Sequence, residues 1–339
     1  MAQPSFSQLP WFDAHLDLAY LAEQGRDMHV PPAEARGRLQ PAAITLPSLA
    51  EGGVEACLAT VFTEPVGPDH HGDAPTGYPE SDAGGAYRAG MRQLKLYQAW
   101  RAGGVMTALD DPGDALRVGV LVENADPIPG PGELGPWLEG GVRAIGLTWA
   151  SRGRYACGNA VSSDDKGAGL SELGRGLLDT MERTGVALDI SHLNDRSLAQ
   201  ALHAFGGRVM ASHSNARALL EPQDQRHLTD EAIASLAERG GVIGLNLCGS
   251  FLTSENRPAT VDDCVRHIEH VCNVAGDRTH VGLGSDMDGG FAADRLPEGI
   301  RSPAGLVRLA EALHDRGWSD DEIHGFAWGN WSRFWGLDA

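Results

Sequence analysis

Eight short apolar runs, rich in valine, isoleucine and leucine, recur along the chain and alternate with longer stretches of helical periodicity. The runs cover residues 11–16, 54–62, 117–122, 142–148, 186–190, 208–211, 241–247 and 280–284. Their hydrophobicity is continuous rather than alternating, which is typical of parallel strands that helices cover. Strand followed by helix, repeated eight times, predicts an α/β fold of the (β/α)8 TIM barrel type.

The predicted helices lie between these runs, at residues 87–102, 171–184, 195–205, 230–239, 261–275 and 304–316. An open doubly wound sheet is the competing architecture. The segment FDAHLDLAY, around the end of the first run, lacks the glycine-rich phosphate-binding fingerprint that such a sheet would carry. A chain of 339 residues is within the usual length of one barrel, so residues 1–339 are predicted to form a single domain.

Two segments lie outside the repeating pattern. Residues 64–81 are rich in proline, glycine, aspartate and histidine and are predicted to form a long loop, in which Asp69, His70 and His71 would be solvated. Residues 319–335 open with a capping serine and are predicted to form a C-terminal helical extension. Its aromatic residues are expected to pack against the barrel or another subunit; they are Phe326, Trp328, Trp331, Phe334 and Trp335.

The charge balance excludes some classes of partner. The chain has 27 basic and 46 acidic residues, a net charge of -19, which would repel nucleic acid and anionic membrane surfaces. Its five cysteines are scattered and odd in number, so they are expected to be reduced and mostly buried. No secretory signal pattern and no apolar stretch of about 20 residues is visible. We therefore expect a cytoplasmic protein with no nucleic-acid or membrane partner.

Polar residues of metal-binding type stand at the ends of five predicted strands: His15 and Asp17, Glu123, His192, His213 and Asp286. Active sites of such barrels are built at the C-terminal ends of the strands. The six side chains are therefore predicted to converge on one mouth of the barrel.

The residue types at these strand ends suit a metal centre. His15 and Asp17 are two residues apart and would face the same side of an extended segment. Glu123 ends a buried run, where its carboxylate needs a partner, either an arginine or two metal ions that it bridges. His192 and His213 are either satisfied core histidines or ligands. Nitrogen and oxygen donors without thiolate favour zinc over manganese or iron.

The segment GLGSDMDGG carries two carboxylates after the last strand. Asp286 is predicted to be the proton shuttle that a metal-activated water requires, with a loop cap as the alternative. For Asp288 a loop cap is expected, and substrate binding is the functional alternative.

Together these residues resemble the renal or membrane dipeptidase family of the amidohydrolase-like barrels. The resemblance rests on six segments in order: FDAHLDL, LVENADPI, DISH, SHSNAR, RHLTDE and GLGSDMDG. It implies two divalent metal ions, zinc in the family, one held by His15, Asp17 and Glu123 and the other by Glu123, His192 and His213. Glu123 would bridge the two ions.

The resemblance also implies roles outside the metal ligands. Asp286 matches the acid/base of the family, and Arg226 matches an arginine that binds the terminal carboxylate of the substrate. A surface role is the alternative for Arg226, and the segment before it is longer than in the family. Trp149 stands where many active members have a histidine thought to steady the oxyanion, and Asn124 stands where a glycine is common. Arg152 or Arg154 could replace the missing donor; otherwise Trp149 faces a different substrate.

The function that follows is a binuclear-metal dipeptidase that cleaves small dipeptides, including those with a D-residue on the C-terminal side, through a metal-bridging hydroxide. An amidohydrolase that acts on N-acyl amino acids, cyclic amides or lactones is the alternative. A non-catalytic metal-binding barrel is the alternative from another class. The family resemblance also leads us to expect a homodimer.

Overall fold

A barrel of eight parallel strands is the centre of the fold. The computed structural model describes residues 6–66, 77–79 and 82–337. The strands are β1 (Trp11–Leu16), β2 (Val54–Val61), β3 (Leu116–Val122), β4 (Val142–Gly146), β5 (Ala187–Asp189), β6 (Val209–Met210), β7 (Ile243–Leu245) and β8 (Val281–Leu283). Their order is β7-β8-β1-β2-β3-β4-β5-β6, and a parallel bridge between Ala211 and Ile243 links the two ends. The predicted (β/α)8 architecture is confirmed.

Helices follow the strands and cover the outside of the barrel. They are α1 (Leu18–Glu23), α2 (Leu46–Glu51), α3 (Ala83–Ala102), α4 (Gly135–Glu139), α5 (Glu172–Thr184), α6 (Asp195–Ala204), α7 (Asp230–Glu238), α8 (Val261–Ala275), α9 (Val307–Asp315), α10 (Asp320–His324) and α11 (Asn330–Trp335). Several helices begin after a residue whose side chain accepts a hydrogen bond from a backbone N–H group of the first turn. These residues are Ser171, Asn194, Thr229 and Thr260. The prediction for 304–316 is corrected, because a 3-10 turn at Pro303–Leu306 precedes α9.

Two apolar clusters lie on the two sides of the barrel wall. Successive side chains of a strand point to opposite faces, so Phe12 and Ala14 of β1 belong to the inner cluster while Trp11 belongs to the outer one. The pairing of β1 with β2 is irregular between Asp13 and Leu16, and Leu16 belongs to the outer cluster although alternation alone would place it with Phe12. The inner cluster also takes one or two residues from most other strands: Ala56, Leu58, Leu121, Ala144, Ala187, Met210 and Val242. The barrel is therefore a packed core that supports its mouth, as in other barrels of this type.

The C-terminal segment fills the inner cluster from one end of the barrel. Ser319 caps α10, a π-helical turn at Gly325–Gly329 follows, and α11 completes the segment. Trp331 is completely buried, stacks on Phe12 at a ring distance of 5.9 Å and donates its indole N–H to Leu283 O at 2.9 Å. Of the two expectations for these aromatics, packing against the barrel is the one that the structure shows.

The segment predicted as one long loop contains two short strands. Glu64–Val66 and Gly77–Pro79 pair in parallel, which corrects the loop prediction at its two ends. Asp69, His70 and His71 lie outside the described residues. A further short strand, Met106–Ala108, pairs with β3.

All five cysteines are buried and unpaired, as predicted. No helix within the described ranges has both the length and the apolar character that crossing a membrane would require.

We predict that Trp331→Ala lowers the free energy of unfolding by about 3 to 5 kcal/mol, because it leaves a cavity and removes an indole hydrogen bond inside the barrel. Urea denaturation followed by circular dichroism measures the loss. Trp100→Ala is the matched control: Trp100 is half-buried on α3, and its removal should cost about 1 kcal/mol or less. Equal losses in the two variants would contradict a special role for Trp331.

Candidate metal centre

The predicted ligands meet at the C-terminal mouth of the barrel, with Glu123 in the middle. Glu123 follows β3 directly, and its two carboxylate oxygens face different histidines. Oε2 lies 3.5 Å from His15 Nε2 at the end of β1. Oε1 lies 3.2 Å from His192 Nε2, after β5, and 3.8 Å from His213 Nε2, after β6. Histidines from three other strands therefore surround one carboxylate.

Three overlapping groups of donor atoms result from this arrangement. In each group, one ligand atom per residue lies within 4.8 Å of the others: His15, Asp17 and Glu123; Glu123, His192 and His213; His15, His213 and Asp286. The first two groups share Glu123, and they are the two ligand sets that the family resemblance implies. All six residues are buried. The structure therefore brings together every residue predicted from the strand ends.

Neighbouring groups orient the ring of each histidine. His192 Nδ1 lies 3.1 Å from Asn159 Oδ1, which accepts its proton. His15 Nδ1 and His213 Nδ1 lie 3.0 and 2.8 Å from the hydroxyl of Ser212. All three Nε2 atoms are consequently left facing the centre, where a metal ion would use their lone pairs.

The carboxylates of the site are buried, and burial disfavours their charged forms. Burial raises the pKa of Glu123 to about 8 and that of Asp286 to about 8. Burial and the neighbouring Glu123 raise the pKa of Asp17 to about 6, although Thr60 donates a hydrogen bond to it. These groups would gain from nearby positive charge.

The histidines of β5 and β6 are held neutral. Burial and the charge of Arg226 lower the pKa of His192 well below its usual value. Burial, followed by His15 and Arg226, lowers that of His213 in the same way. Their Nε2 atoms are only 2.9 Å apart. Because a neutral imidazole with its proton on Nδ1 presents a lone pair at Nε2, this spacing favours a cation beside both atoms.

The donor set fits divalent metal ions. His15 Nε2 and Glu123 Oε2 are buried, and neither has a hydrogen-bond partner among the described residues. Buried polar atoms are normally paired, so an imidazole nitrogen and a carboxylate oxygen that face each other without a hydrogen bond are suited to bind a cation between them. Imidazole nitrogen and carboxylate oxygen without thiolate are ligands that zinc accepts.

Two residues of the site have an unusual backbone. His192 and Asp286 adopt left-handed conformations, with φ of 67° and 57°. This conformation is unfavourable for residues with a Cβ and persists where the surroundings enforce it. For Asp286 the backbone N–H donates to His15 O at 3.2 Å. At each of these residues the left-handed backbone directs the side chain back over the mouth of the barrel.

Asp286 and Arg226 lie beside the ligands. Asn246, after β7, donates its amide N–H to Asp286 Oδ2 at 2.9 Å. Arg226 is buried and donates to Ser214 Oγ at 3.2 Å and to His213 O at 2.9 Å. Its Nε has no partner among the described residues. Arg226 is therefore not a surface arginine, and part of its guanidinium remains available.

Asp288 does not serve the site. It is completely buried, forms an ion pair with Arg26 and accepts the backbone N–H groups of Ala43 and Ile44 at 2.9 and 2.8 Å. These contacts commit one carboxylate oxygen to the loop before α2. These contacts are those of the loop cap expected for Asp288 from the sequence, and they leave substrate binding by Asp288 without support.

Trp149 lies beside the metal ligands. Its ring is 6.0 Å from that of His192 and 5.4 Å from that of Phe62. The two arginines considered as replacements for the missing histidine point elsewhere. Arg154 donates to three backbone carbonyl groups in residues 126–129, and exposed Arg152 donates to the carbonyl of Gly167. None of these hydrogen bonds involves a predicted metal ligand.

The sequence interpretation missed several residues that support the site, namely Thr60, Asp189, Ser212 and Asn246. Each is a polar residue in or just after a buried strand, which is the signal that could have indicated them. In the sequence, His267 and His270 lie one turn apart on a predicted helix, and this spacing predicts a surface or interface position for both. His267 is buried instead, accepts the N–H of Ala216 and contacts Leu252 O.

Known proteins share this sequence and fold. The family model of membrane dipeptidases (peptidase family M19) matches residues 2–337. An uncharacterized protein encoded 5' of pqqA in Klebsiella pneumoniae is 33% identical over 254 residues, which are 72% of this chain and 91% of that protein.

Solved structures agree with this assignment. A metallopeptidase of family M19, dipeptidase AC, has a TM-score of 0.80 and 25% identity over 96% of this chain and 98% of its own. A metallopeptidase from Rhodobacter sphaeroides, solved with a phosphinate mimic of the dipeptide L-Ala-D-Ala, has a TM-score of 0.79 and 25% identity over 98% of this chain and all of its own. The chain belongs to the membrane dipeptidase family, peptidase family M19, and is a metal-dependent hydrolase.

Proposed function

We propose that this chain hydrolyses small dipeptides at a centre of two divalent metal ions, most suitably zinc. The observation that carries the proposal is the position of Glu123. One of its oxygens faces His15, and the other faces His192 and His213, at 3.2 to 3.8 Å. A carboxylate in this position can serve as a ligand to two ions at once.

His15, Asp17 and Glu123 would hold one ion, and Glu123, His192 and His213 the other. Two bound divalent ions would supply a Lewis acid for the scissile carbonyl and a water that is reactive near neutral pH. The protein supplies the ligand orientation, the buried surroundings and the groups that move protons.

Asp286 is positioned to act as the acid/base. It follows β8 at the same mouth, and one ligand atom of Asp286 lies within 4.8 Å of those of His15 and His213. Asn246 donates a hydrogen bond to its Oδ2 and so holds the carboxylate at the mouth. Asp286 would accept a proton from the attacking water and deliver it to the amine nitrogen as the peptide bond breaks.

Arg226 is positioned to bind the terminal carboxylate of the substrate. A guanidinium suits a carboxylate in geometry and charge, and that of Arg226 is buried, with Nε unpaired, near the metal ligands. The Rhodobacter sphaeroides relative binds a mimic of L-Ala-D-Ala. This supports acceptance of dipeptides with a D-residue on the C-terminal side.

Trp149 gives the site an apolar wall. Tyr20, Phe62 and Trp149 form a row of edge-to-face contacts, at ring distances of 5.3 and 5.4 Å, that ends beside His192. We infer that this row favours a substrate with an apolar group next to the scissile amide. The same observation favours a second candidate function, hydrolysis of N-acyl amino acids, cyclic amides or lactones.

The homodimer, the cytoplasmic location and the single domain over residues 1–339 expected from the sequence stay predictions.

The first prediction concerns metal content. Glu123→Gln should reduce bound zinc from two ions per chain to one or none. The replacement turns one carboxylate oxygen into an NH2 group, and an amide nitrogen cannot bind the zinc ion next to it. Atomic emission on dialysed protein measures the bound zinc. Glu133→Gln, an exposed carboxamide replacement in the segment that follows the same strand, is the control and should retain both ions. Two ions retained in Glu123→Gln would argue against a bridging carboxylate.

The second prediction concerns the acid/base. Asp286→Asn should lower kcat on the best substrate of an L,L and L,D dipeptide panel by about 10² to 10⁴-fold, with metal content unchanged. Asp294→Asn, an exposed carboxylate in the segment after the same strand, should leave kcat unchanged. If Asp286→Asn keeps wild-type kcat, Asp286 is not the proton carrier.

The third prediction concerns Trp149. Trp149→His should raise kcat on dipeptides, by up to about 10² to 10³-fold if it restores an oxyanion donor, and lower activity on amides with bulky apolar groups. Trp149→Phe is the matched variant, since it keeps an aromatic ring without a donor, and it should not raise kcat. A loss of activity on every substrate in Trp149→His would contradict this role.

A further inference from the structure

One buried hydroxyl contacts two of the proposed metal ligands. Ser212 Oγ lies 3.0 Å from His15 Nδ1, 2.8 Å from His213 Nδ1 and 2.6 Å from Asp189 Oδ2. A fourth neighbour, Ser191 Oγ, is 3.4 Å away, which is long for a bond between hydroxyls. Ser212, Asp189 and both histidines are at most 1% exposed, so water does not compete for these bonds.

The proton of the Ser212 hydroxyl has one destination. Asp189 Oδ1 accepts the backbone N–H groups of Ser191 at 3.0 Å and Ser212 at 2.9 Å, as an acceptor-only carboxylate does. Its Oδ2 lies close enough to the hydroxyl for a charge-assisted bond, which the hydroxyl donates. The two lone pairs of Ser212 Oγ are then left for two donors.

Those two donors are the Nδ1 atoms of His15 and His213. A neutral imidazole carries its proton on one nitrogen only, so a proton on Nδ1 leaves a lone pair on Nε2. The Nε2 atoms are the ones that face Glu123, at 3.5 and 3.8 Å. One hydroxyl can thus hold both rings in the metal-binding tautomer.

The backbone keeps Ser212 in place. A Cβ on Gly284 would lie 1.7 Å from the carbonyl oxygen of Ser212, and one on Gly244 would lie 2.0 Å from it. Only glycine allows β7 and β8 to approach β6 this closely. The backbone of Ser212 is therefore packed against Gly244 of β7 and against Gly284 directly after β8, which fixes the point from which its hydroxyl reaches the histidines.

We propose that Asp189 and Ser212 are positioning residues that set the tautomers of His15 and His213 together, a coupling by which one hydroxyl prepares both metal positions. The inference rests on the proposed function, because the two histidines belong to different ions in the ligand sets given above. Orientation of a metal-binding histidine by a hydrogen-bonded carboxylate is a general device; here one carboxylate acts on two histidines through a single hydroxyl.

Asp189→Asn distinguishes this arrangement from simple packing. The amide oxygen must stay against the two backbone N–H groups, which turns the NH2 group towards Ser212. The hydroxyl then accepts from that NH2 and donates to one of the two histidines, whose own proton moves to Nε2. That histidine can no longer bind metal, although the shape of the site is almost unchanged.

The first measurement uses the metal-free wild type. Two-bond 1H–15N spectra of protein labelled with 15N-histidine, at neutral pH, report which ring nitrogen carries the proton, and single histidine replacements assign the signals. We expect Nδ1–H for both His15 and His213. A proton on Nε2 of either ring would overturn the inference, and this result does not depend on the folding of any variant.

The second measurement compares variants by zinc titration against a chromophoric chelator. Asp189→Asn should lose one of two zinc ions and show one histidine signal switched to Nε2–H. Ser212→Ala should lower the zinc affinity of both metal positions by about 10 to 100-fold. Asp263→Asn on α8 and Ser197→Ala on α6 remove a buried carboxylate and a buried hydrogen-bonded hydroxyl elsewhere and should leave zinc binding unchanged.

The outcomes separate this inference from the proposed function. If the wild type binds two zinc ions and Asp189→Asn binds both with unchanged affinity, the coupling is wrong and the metal site stands. If the wild type binds no divalent ion, the proposed function fails and the coupling fails with it, while the spectra still decide the tautomers.

Discussion

The electrostatics of Glu123 govern the rest of the site. A carboxylate with no access to water is expensive unless positive charge lies near it, and here Asp17 and Asp286 are buried beside it. Arg226 lowers the pKa of Glu123, and His15 and Arg226 lower the pKa of Asp286, but burial outweighs these charges at both carboxylates. Three carboxylates and one guanidinium leave a net negative charge, and two divalent ions would more than neutralise it. The positive charge that remains would favour an anionic nucleophile and a substrate with a free carboxylate.

The fold can hold such a site because a packed apolar core lies beneath it. The interior of the barrel is apolar from Phe12 down to Trp331. At the opposite end, His192 and Asp286 take left-handed backbone conformations that the strand pairing beneath them must enforce. The packed core thus supplies the stability that the mouth lacks, which is how barrels of this type tolerate varied active sites.

Much of this arrangement follows from local patterns in the sequence. The bounds of β1 and α8 agree with prediction because their apolar periodicity is uninterrupted and, for α8, because Thr260 and Asp263 form a capping box. The start of α3 was placed four residues late, since Gly84 and Gly85 are poor helix formers and only the cap by Asp82 offsets them. Ligands at strand ends were found because histidine and carboxylate are unusual directly after apolar runs.

Other features depend on contacts that no local pattern contains. Asp286 and Asp288 share a segment and a left-handed backbone, yet Arg26, which is remote in sequence, decides that Asp288 serves the fold. Ser212 gains its importance from its contacts with His15 and Asp189, which lie on other strands, and with the adjacent His213. The prediction for His267 failed for the same reason, because helical spacing alone does not tell which face of α8 meets the barrel.

The proposed metal ligands and the aromatic row come from different parts of the barrel, and this separation bears on substrate specificity. The residues proposed to hold metal come from β1, β3, β5 and β6, whereas the aromatic row comes from the segments after β1, β2 and β4. Trp149 contacts the ring of His192 but makes none of the hydrogen bonds that orient it, which come from Asn159. A change at position 149 can therefore alter the group that lies beside the scissile bond while the donor atoms stay in place. The histidine expected at position 149 from the family resemblance and the tryptophan present here would both be compatible with the proposed ligand set for this reason.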